Sequence, residues 1–280
     1  MKKILYTLIL LTVVASANFT ATAQEEDSTK QGVQFKVSMN YNSNLNYYGR
    51  VDSLRSSGVF PMAELWFTPK WYVNAAPIFV NNPLQKMDYA GTVATLGYLN
   101  VTDKWLTSLS AIKPFYTKET QLVQSALKAQ GSVLVSKLNR VLNVSLGGDV
   151  KFSDKVDFGA TAGLDHIFRI AAKDGSVVVI DPSVYAYAGT QQFYRSYTRR
   201  KSSGILLPPR DERVTEEGTT FNILAYEASL PLIYVKGKWQ LMATPSYIIP
   251  QNLLQVPDRP DLTERGENTF YTTLAVKYTF

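Results

Sequence analysis

The 280-residue sequence lacks cysteine altogether and contains a single histidine, His166. Without cysteine, the chain has no disulfide bonds, no lipid-modified cysteine behind an export signal, no thiolate catalysis and no thiolate-bound metal. One histidine also excludes a metal site built from several imidazoles. We therefore expect no metal and no cofactor, and a fold held together by packing and hydrogen bonds alone.

Long apolar runs are also missing, apart from a short one at the start. Lys2 and Lys3 precede an apolar run from Ile4 to Ala15, and Ala21-Thr22-Ala23 has the small-x-small pattern of a cleavage site. A run of about a dozen residues is too short for a membrane-spanning helix, which needs roughly 20, but it fits a secretory signal peptide. The sequence predicts a signal peptide over 1–23, a polar lead-in over 24–31, and export.

Strong charge of either sign is absent. The chain has 29 basic and 23 acidic side chains, a net charge of +6 that falls to about +4 if Lys2 and Lys3 leave with a signal peptide. So small an excess does not indicate a nucleic-acid partner. The 17 tyrosines and 13 phenylalanines, with no long helical periodicity, favour an all-β protein.

After residue 31 the sequence falls into segments in which apolar and polar residues alternate, the pattern of a strand with two different faces. In the first segment Phe35, Val37 and Met39 share one face, opposite Lys36 and Ser38. The alternation is poor in the second to sixth segments, and the ninth is long enough to contain a bend near Asp181-Pro182. Twelve segments are predicted: 32–43, 58–68, 71–80, 88–101, 105–116, 130–138, 141–152, 156–170, 176–197, 219–236, 238–249 and 267–280.

The connections between these segments alternate in length. Every second one is a tight turn rich in Gly, Asp or Asn, as short hairpins require: Thr68-Pro69-Lys70, Thr102-Asp103-Lys104, Asn139-Arg140, Lys173-Asp174-Gly175 and Lys236-Gly237-Lys238. The connections between them are longer, about 44–57, 81–87, 117–129, 198–218 and 250–266, except for Ser153-Asp154-Lys155. Short turns at one end and long loops at the other are typical of a transmembrane barrel whose short turns are periplasmic.

The last segment carries the most specific motif. Phe270, Leu274, Val276, Tyr278 and Phe280 share one face. A final strand with alternating apolar positions and a terminal aromatic residue resembles the assembly signal of Gram-negative outer-membrane β-barrel proteins. The resemblance implies outer-membrane lipid and the barrel assembly machinery as partners. It also implies an antiparallel up-and-down barrel over 32–280. The twelve predicted segments indicate about twelve strands, with 10 to 14 possible. The last strand is expected to pair with the first, because an open sheet edge is costly in lipid.

All four tryptophans lie within three residues of a predicted short turn: Trp66, Trp71, Trp105 and Trp239. Indole rings prefer the membrane interface, and barrels carry aromatic girdles there. We therefore expect these four residues to form the periplasmic girdle. The alternative is that they are ordinary core residues.

The polar phase of the strands carries charged residues that are expected to face the interior, because a charge on the lipid face is costly. They are Lys36, Asp149, Lys151, Asp157, Asp165, Arg169, Glu227 and Lys277. These residues could line a path for small polar solutes, or they could form ion pairs that fill the barrel. The oligomeric state is left open by the sequence.

Four functions compete at this stage. A narrow channel for small polar solutes is favoured, ahead of a closed barrel that acts through its long loops as a surface binding or structural protein. A soluble lipocalin-like binder fits the alternation equally well, because period two does not say which face points outward. An enzyme is disfavoured: His166 invites a catalytic interpretation, but no Ser or Thr follows it two residues later on the same face, so the required nucleophile is missing.

Overall fold

The computed structural model describes residues 32–51, 54–84, 86–117, 127–201, 210–254, 264 and 266–280. The predicted signal peptide and lead-in lie outside these residues. Among the described residues, no helix is long and apolar enough to cross a membrane.

Twelve antiparallel strands run up and down in chain order and close into one barrel. They are β1 Gln34–Asn42, β2 Ser57–Trp66, β3 Trp71–Asn81, β4 Asp88–Val101, β5 Trp105–Tyr116, β6 Ala129–Lys137, β7 Asn143–Phe152, β8 Val156–Asp165 with Phe168–Ala171, β9 Val177–Ile180 with Ser183–Lys201, β10 Arg210–Ser229 with Leu232–Lys236, β11 Trp239–Pro250 and β12 Thr269–Thr279. The last strand pairs with the first, Met39 opposite Val276, and also with β11. The expected fold class and strand number are confirmed.

β8, β9 and β10 are each interrupted at neighbouring positions. Beyond the break, β9 and β10 continue between the same neighbouring strands of the sheet, and β8 continues beside β9. At these breaks, backbone N–H groups donate to the carbonyl oxygens of Pro182, Pro231 and Pro245 on the neighbouring strand, at 3.2, 3.0 and 3.0 Å. Proline has no N–H to donate to the ladder, and Pro182 and Pro231 lie at the breaks in β9 and β10. The bend predicted at Asp181-Pro182 is one of these breaks.

The apolar face of the barrel points outward. In β7, Leu146 and Phe152 are 62% and 47% exposed, whereas Ser145 and Lys151 on the other face are 1% and 4% exposed. The same phase holds in β1, where Phe35 is exposed and its neighbour Lys36 is buried. An apolar exterior around a polar interior does not fit a soluble lipocalin-like barrel, which would need the reverse arrangement.

The five predicted short turns lie together at one end of the barrel. Two of them contain a glycine at positive φ, Gly175 at 77° and Gly237 at 56°, a conformation that residues with a Cβ rarely adopt. In the turn that contains Gly175, the Asp174 carboxylate accepts hydrogen bonds from Ser176 and Lys236. These hydrogen bonds, first of all the one from Lys236, lower the pKa of the Asp174 carboxyl below its ordinary value.

One predicted loop is wrong. The segment 198–218 is largely paired strand: β9 and β10 remain paired as far as Lys201 and Arg210, beyond the last partner of β9 in β8, Gly189. The register places Arg199 opposite Glu212 and Arg200 opposite Asp211. Only residues 202–209 at its tip lie outside the described part of the chain.

Candidate functional site: the barrel interior

Small hydroxyl side chains cover much of the inner wall. Serines on adjacent strands meet in pairs, with oxygen–oxygen distances of 2.6 to 2.7 Å: Ser110 with Ser132, Ser136 with Ser145, and Ser183 with Ser229. These positions belong to the polar phase of their strands, so each hydroxyl faces inward and finds a partner across the ladder. The wall is thus polar without carrying charge at these positions.

A short hairpin from the connection between β1 and β2 enters the barrel. Its two strands are Asn46–Tyr47 and Arg50–Val51, and we call the segment 46–51 the inner hairpin. Tyr48 and Gly49 have φ angles of 50° and 75°, as a two-residue turn with two positive φ angles requires. A Cβ at Gly49 would lie 2.8 Å from the Pro250 side chain, so only glycine fits at the tip.

Arg50 fastens the inner hairpin to the wall and to the connection between β11 and β12. Its side chain is only 3% exposed and forms an ion pair with Glu264 at 2.9 Å. Its guanidinium also donates to the carbonyl oxygens of Tyr48, Leu224 and Gln251, at 3.3, 3.1 and 3.3 Å. Arginine suits such a position because its planar guanidinium presents five N–H donors in a fixed fork.

Apolar packing holds the segment around the hairpin against opposite sides of the barrel. Leu45, immediately before it, is packed with Phe60, Ile78 and Ile112 of β2, β3 and β5. Tyr48, at its tip, is packed with a second cluster on the other side, formed by Tyr187, Leu224, Ala225, Ile248 and Tyr271. The inner hairpin therefore bridges the lumen at the end of the barrel that carries the long connections.

Lys151 and Asp149 form a buried ion pair beneath the hairpin, with Nζ 2.6 Å from Oδ1 and side chains 5% and 3% exposed. The Lys151 ammonium also lies 5.9 Å and 5.7 Å from the ring centres of Tyr47 and Tyr48, within the range of a cation–π contact. Burial raises the pKa of the Tyr48 hydroxyl above its ordinary value, so this hydroxyl remains protonated.

The Lys151–Asp149 pair gives a stability prediction. We expect Lys151→Met to destabilise the folded barrel by about 3 kcal/mol, because Asp149 would be left as a buried charge without its partner. The double variant Asp149→Asn/Lys151→Met removes both charges and should recover most of that loss. Guanidinium unfolding in lipid vesicles measures both variants, and equal losses in the two would contradict the ion-pair argument.

A second charged group lies near the short turns, where β12, β1 and β2 adjoin. Glu64 accepts a hydrogen bond from the Trp66 indole N–H at 2.7 Å and lies 3.6 Å from the Lys277 ammonium. The Lys36 ammonium lies 4.6 Å from the centre of the Trp66 ring. Glu64 shares the inner face with Trp66, two residues away, and was not singled out from the sequence.

Trp66 is therefore not a girdle residue. It is 8% exposed and stacks on Tyr72 with ring centres 4.6 Å apart, inside the barrel, because it lies in the same phase as the buried Glu64. The other three tryptophans do point outward: Trp71, Trp105 and Trp239 are 40%, 48% and 53% exposed.

Most of the charged residues predicted to face the interior lie on the inner face. Lys36, Asp149, Lys151, Asp165, Glu227 and Lys277 are all buried. Asp157 is half-buried and accepts a hydrogen bond from the Thr190 hydroxyl at 2.7 Å. Arg169 differs: it lies on the segment of β8 beyond the break, close to the short turns, and is exposed.

Three buried carboxyl side chains occupy adjacent strands. Asp165 in β8 accepts a hydrogen bond from the Asn143 amide at 2.7 Å, and Glu227 in β10 accepts one from the Tyr271 hydroxyl at 2.8 Å. Asp181 lies at the break in β9 and is 4% exposed. The sequence singled out Asp165 and Glu227 by phase, but not Asp181, because it lies where the alternation is interrupted.

His166 occupies the break in β8. Its ring is half-buried and meets the Phe168 ring edge to face at 4.2 Å, and its backbone N–H donates to the carbonyl oxygen of Pro182.

The residues of the predicted assembly signal follow the outer face of β12. Phe270, Leu274, Val276 and Phe280 are 64%, 45%, 43% and 61% exposed. Tyr278 is half-buried between the rings of Trp239 and Phe280, at 4.8 and 4.9 Å. Whether they act in assembly remains a prediction.

Comparison with known proteins finds no matching family model and no matching curated protein. Among solved structures the chain is similar to the KdgM porin, with 9% identity, a TM-score of 0.48, and coverage of 88% of this chain and 99% of that one. It is also similar to an outer-membrane channel from Pseudomonas putida F1, with 8% identity, a TM-score of 0.45, and coverage of 92% and 99%. A third is the β-domain of the Bordetella autotransporter BrkA, with 12% identity, a TM-score of 0.39, and coverage of 89% and 99%.

Proposed function

We propose that the protein is exported to the outer membrane of a Gram-negative bacterium and spans it as a barrel that offers small polar solutes a narrow path. In this proposal the inner hairpin closes that path and must move aside for a solute to pass. The observation that carries the proposal is the inner hairpin itself. It is a defined turn, held by Arg50, that bridges a lumen whose wall is otherwise lined with hydroxyl and charged side chains.

The exterior supports the membrane location. A closed sheet leaves no unpaired edge in hydrocarbon, and the outward residues of the barrel are apolar, as lipid requires. Trp71, Trp105 and Trp239 lie at the end with the short turns, where aromatic side chains meet the interface. Outer-membrane lipid and the barrel assembly machinery are the partners that this proposal requires.

Recording in planar bilayers tests the channel. The purified protein, first shown by a heat-modifiability gel to be folded, should give brief, small conductance steps that grow with salt concentration, because the hairpin opens only part of the time. A folded barrel that never conducts, even with the hairpin loosened, would contradict the proposal.

A closed barrel acting at the surface is the second candidate. Two observations favour it: the inner side chains are buried across most of the wall, and β9 and β10 remain paired well beyond their neighbours. We call the part of the β9–β10 pair beyond Gly189 the β9–β10 ribbon. Under this alternative, loosening the inner hairpin would produce no conductance, whereas shortening the β9–β10 ribbon would abolish binding at the surface.

A further inference from the structure

The wall of the barrel has a gap between β7 and β8 at the end with the short turns. β7 begins at Asn143, which lies opposite Asp165, and β8 continues past that level to Ala171. The segment Phe168–Ala171 is paired with β9 on one side, and among the described residues no strand pairs with it on the other side. We call Phe168–Ala171 the free edge of β8.

The free edge presents backbone groups from alternate residues. Ala172, the next residue along the chain, donates its N–H across the β8–β9 hairpin at 2.8 Å, and in an antiparallel pair every second residue exchanges such hydrogen bonds. Ile170 and Phe168 therefore bond to β9. The N–H and C=O groups of Arg169 and Ala171 point the other way, into the gap.

These unpaired backbone groups place the free edge outside the hydrocarbon, where every N–H and C=O needs a partner. The hairpin that carries the free edge ends in a solvated turn, since Asp174 of this turn and its ion-pair partner Lys236 are 53% and 55% exposed. In the proposed orientation this corner of the barrel faces the periplasm, because the short turns of outer-membrane barrels do. A periplasmic protein can therefore reach the free edge.

The side chains of the free edge differ between its two faces. Phe168 and Ile170 share one face and are 49% and 56% exposed, whereas Arg169 lies on the other face and is also exposed. Arg140, in the turn that precedes β7, is exposed on the far side of the gap. The free edge is therefore basic on one face and apolar on the other.

The charge of Arg169 distinguishes between possible partner strands. A second copy of this chain would place a like charge beside it, and charged side chains on an edge protect a sheet from such self-pairing. The same charge attracts a strand that carries acidic side chains. When an extended segment adds to a free edge, main-chain hydrogen bonds supply the affinity and alternate side chains supply the specificity.

We propose that the free edge of β8 binds an extended segment of a periplasmic protein by strand addition, and that this segment alternates acidic with apolar residues. The acidic side chains lie on the face of Arg169, and the apolar side chains lie on the face of Phe168 and Ile170. The backbone groups of Arg169 and Ala171 supply the hydrogen bonds. The periplasmic location of the partner rests on the proposed membrane orientation, whereas the strand addition does not.

Peptide binding in detergent tests the specificity independently of any conductance. The probes are fluorescent peptides of four Glu-Val repeats and of four Lys-Val repeats, titrated against the folded protein and followed by anisotropy. The wild type should bind the Glu-Val peptide more tightly by roughly fivefold or more, and Arg169→Glu should reverse that order, because like charges on neighbouring strands are destabilising. Lys104→Glu, on another exposed short turn, is the matched control and should keep the wild-type order. Equal binding of the two peptides by the wild type, or none, would overturn the proposal.

Ala171→Pro separates strand addition from simple attraction of charges. Proline removes the outward N–H of residue 171, and edge strands accept proline where the N–H points away from the sheet. The variant should fold normally, as a heat-modifiability gel shows, and bind the Glu-Val peptide roughly tenfold more weakly, since it keeps Arg169 but loses a backbone donor. A Glu-Val peptide N-methylated at every residue keeps its charge, offers no N–H, and should bind the wild type just as weakly.

Two results would overturn strand addition. If Ala171→Pro and the N-methylated peptide both leave binding unchanged, charge alone holds the peptide. If the wild type sediments as a dimer in detergent and Ala171→Pro sediments as a monomer, the free edge pairs with a second copy of this chain instead. Neither result depends on whether the barrel conducts.

Discussion

Replacing Arg50 by methionine should raise the fraction of time that the barrel conducts by roughly a hundredfold, because about 3 kcal/mol of buried hydrogen bonding and ion pairing would be lost from the closed state. Arg50 bonds to Glu264 and to the carbonyl oxygens of Leu224 and Gln251 in other parts of the chain, and to that of Tyr48 within the hairpin. These contacts hold the inner hairpin against the wall and are not needed to close the sheet. Single-channel recording at fixed voltage measures the open fraction directly.

Arg55 provides the matched control. It lies in the same connection as Arg50 and also forms an ion pair, with Glu267, but the two side chains are 67% and 47% exposed. Exposed pairs contribute about 0–1 kcal/mol, so Arg55→Met should leave the open fraction nearly unchanged. If Arg50→Met folds normally and conducts no more often than Arg55→Met, the inner hairpin is not the element that closes the barrel.

The barrel fold was predictable from the sequence because alternate residues of each strand face two different environments. Lipid selects apolar side chains on one face and the polar interior selects the other, so strands such as β1, β7 and β12 show clear alternation. Turn chemistry added independent information, since Asp174-Gly175 and Gly237 have the residues that tight turns need. These constraints are local, and a single sequence is enough to reveal them.

The inner hairpin was not predicted, because nothing local requires a connection to fold inward. Its sequence, Asn46 to Val51, resembles an ordinary polar loop containing a turn. In retrospect Leu45 and the pair Tyr47-Tyr48 are unusually apolar for a solvated loop, and the structure buries Leu45 and Tyr48. The partners that retain the hairpin, Leu224, Gln251 and Glu264, are more than 170 residues away in sequence.

Trp66 shows where proximity to a turn misleads. Its short distance from the turn suggested a place in the aromatic girdle. Strand phase, however, decides on which face a residue lies, and Trp66 shares the inner face with Glu64. The second segment alternated too weakly for the phase to be assigned from sequence alone, because its inner face carries Phe60 and Trp66 beside polar residues. An acidic residue two positions away was the available signal.

The β9–β10 ribbon was missed for a related reason. Residues 198–218 are strongly charged, and charged runs usually indicate solvated loops. Their backbone pairing places Arg199 opposite Glu212 and Arg200 opposite Asp211 and continues the pairing of β9 and β10 from the barrel wall. A local pattern could not reveal it before the strands were aligned.

An arginine placed on the outer face of the barrel tests the membrane assignment most directly. Leu96 lies on β4, 45% exposed, with outward partners Val73 and Ala111 on either side. We expect Leu96→Arg to destabilise the folded barrel in lipid vesicles by about 1–4 kcal/mol, since a charge that faces hydrocarbon must be desolvated, at a cost that falls toward the interface. Guanidinium unfolding from vesicles measures the change.

Asp103→Arg introduces the same residue on the exposed short turn that follows β4, where the side chain remains in water or among headgroups, so its effect should stay within about 0.5 kcal/mol. The contrast between the two variants separates the environments. If the outer face met water instead of lipid, Leu96→Arg would also be nearly neutral, because arginine on a solvated strand face carries no desolvation cost. A large loss at Leu96 with none at Asp103 therefore requires lipid, and not water, around the outer face of β4.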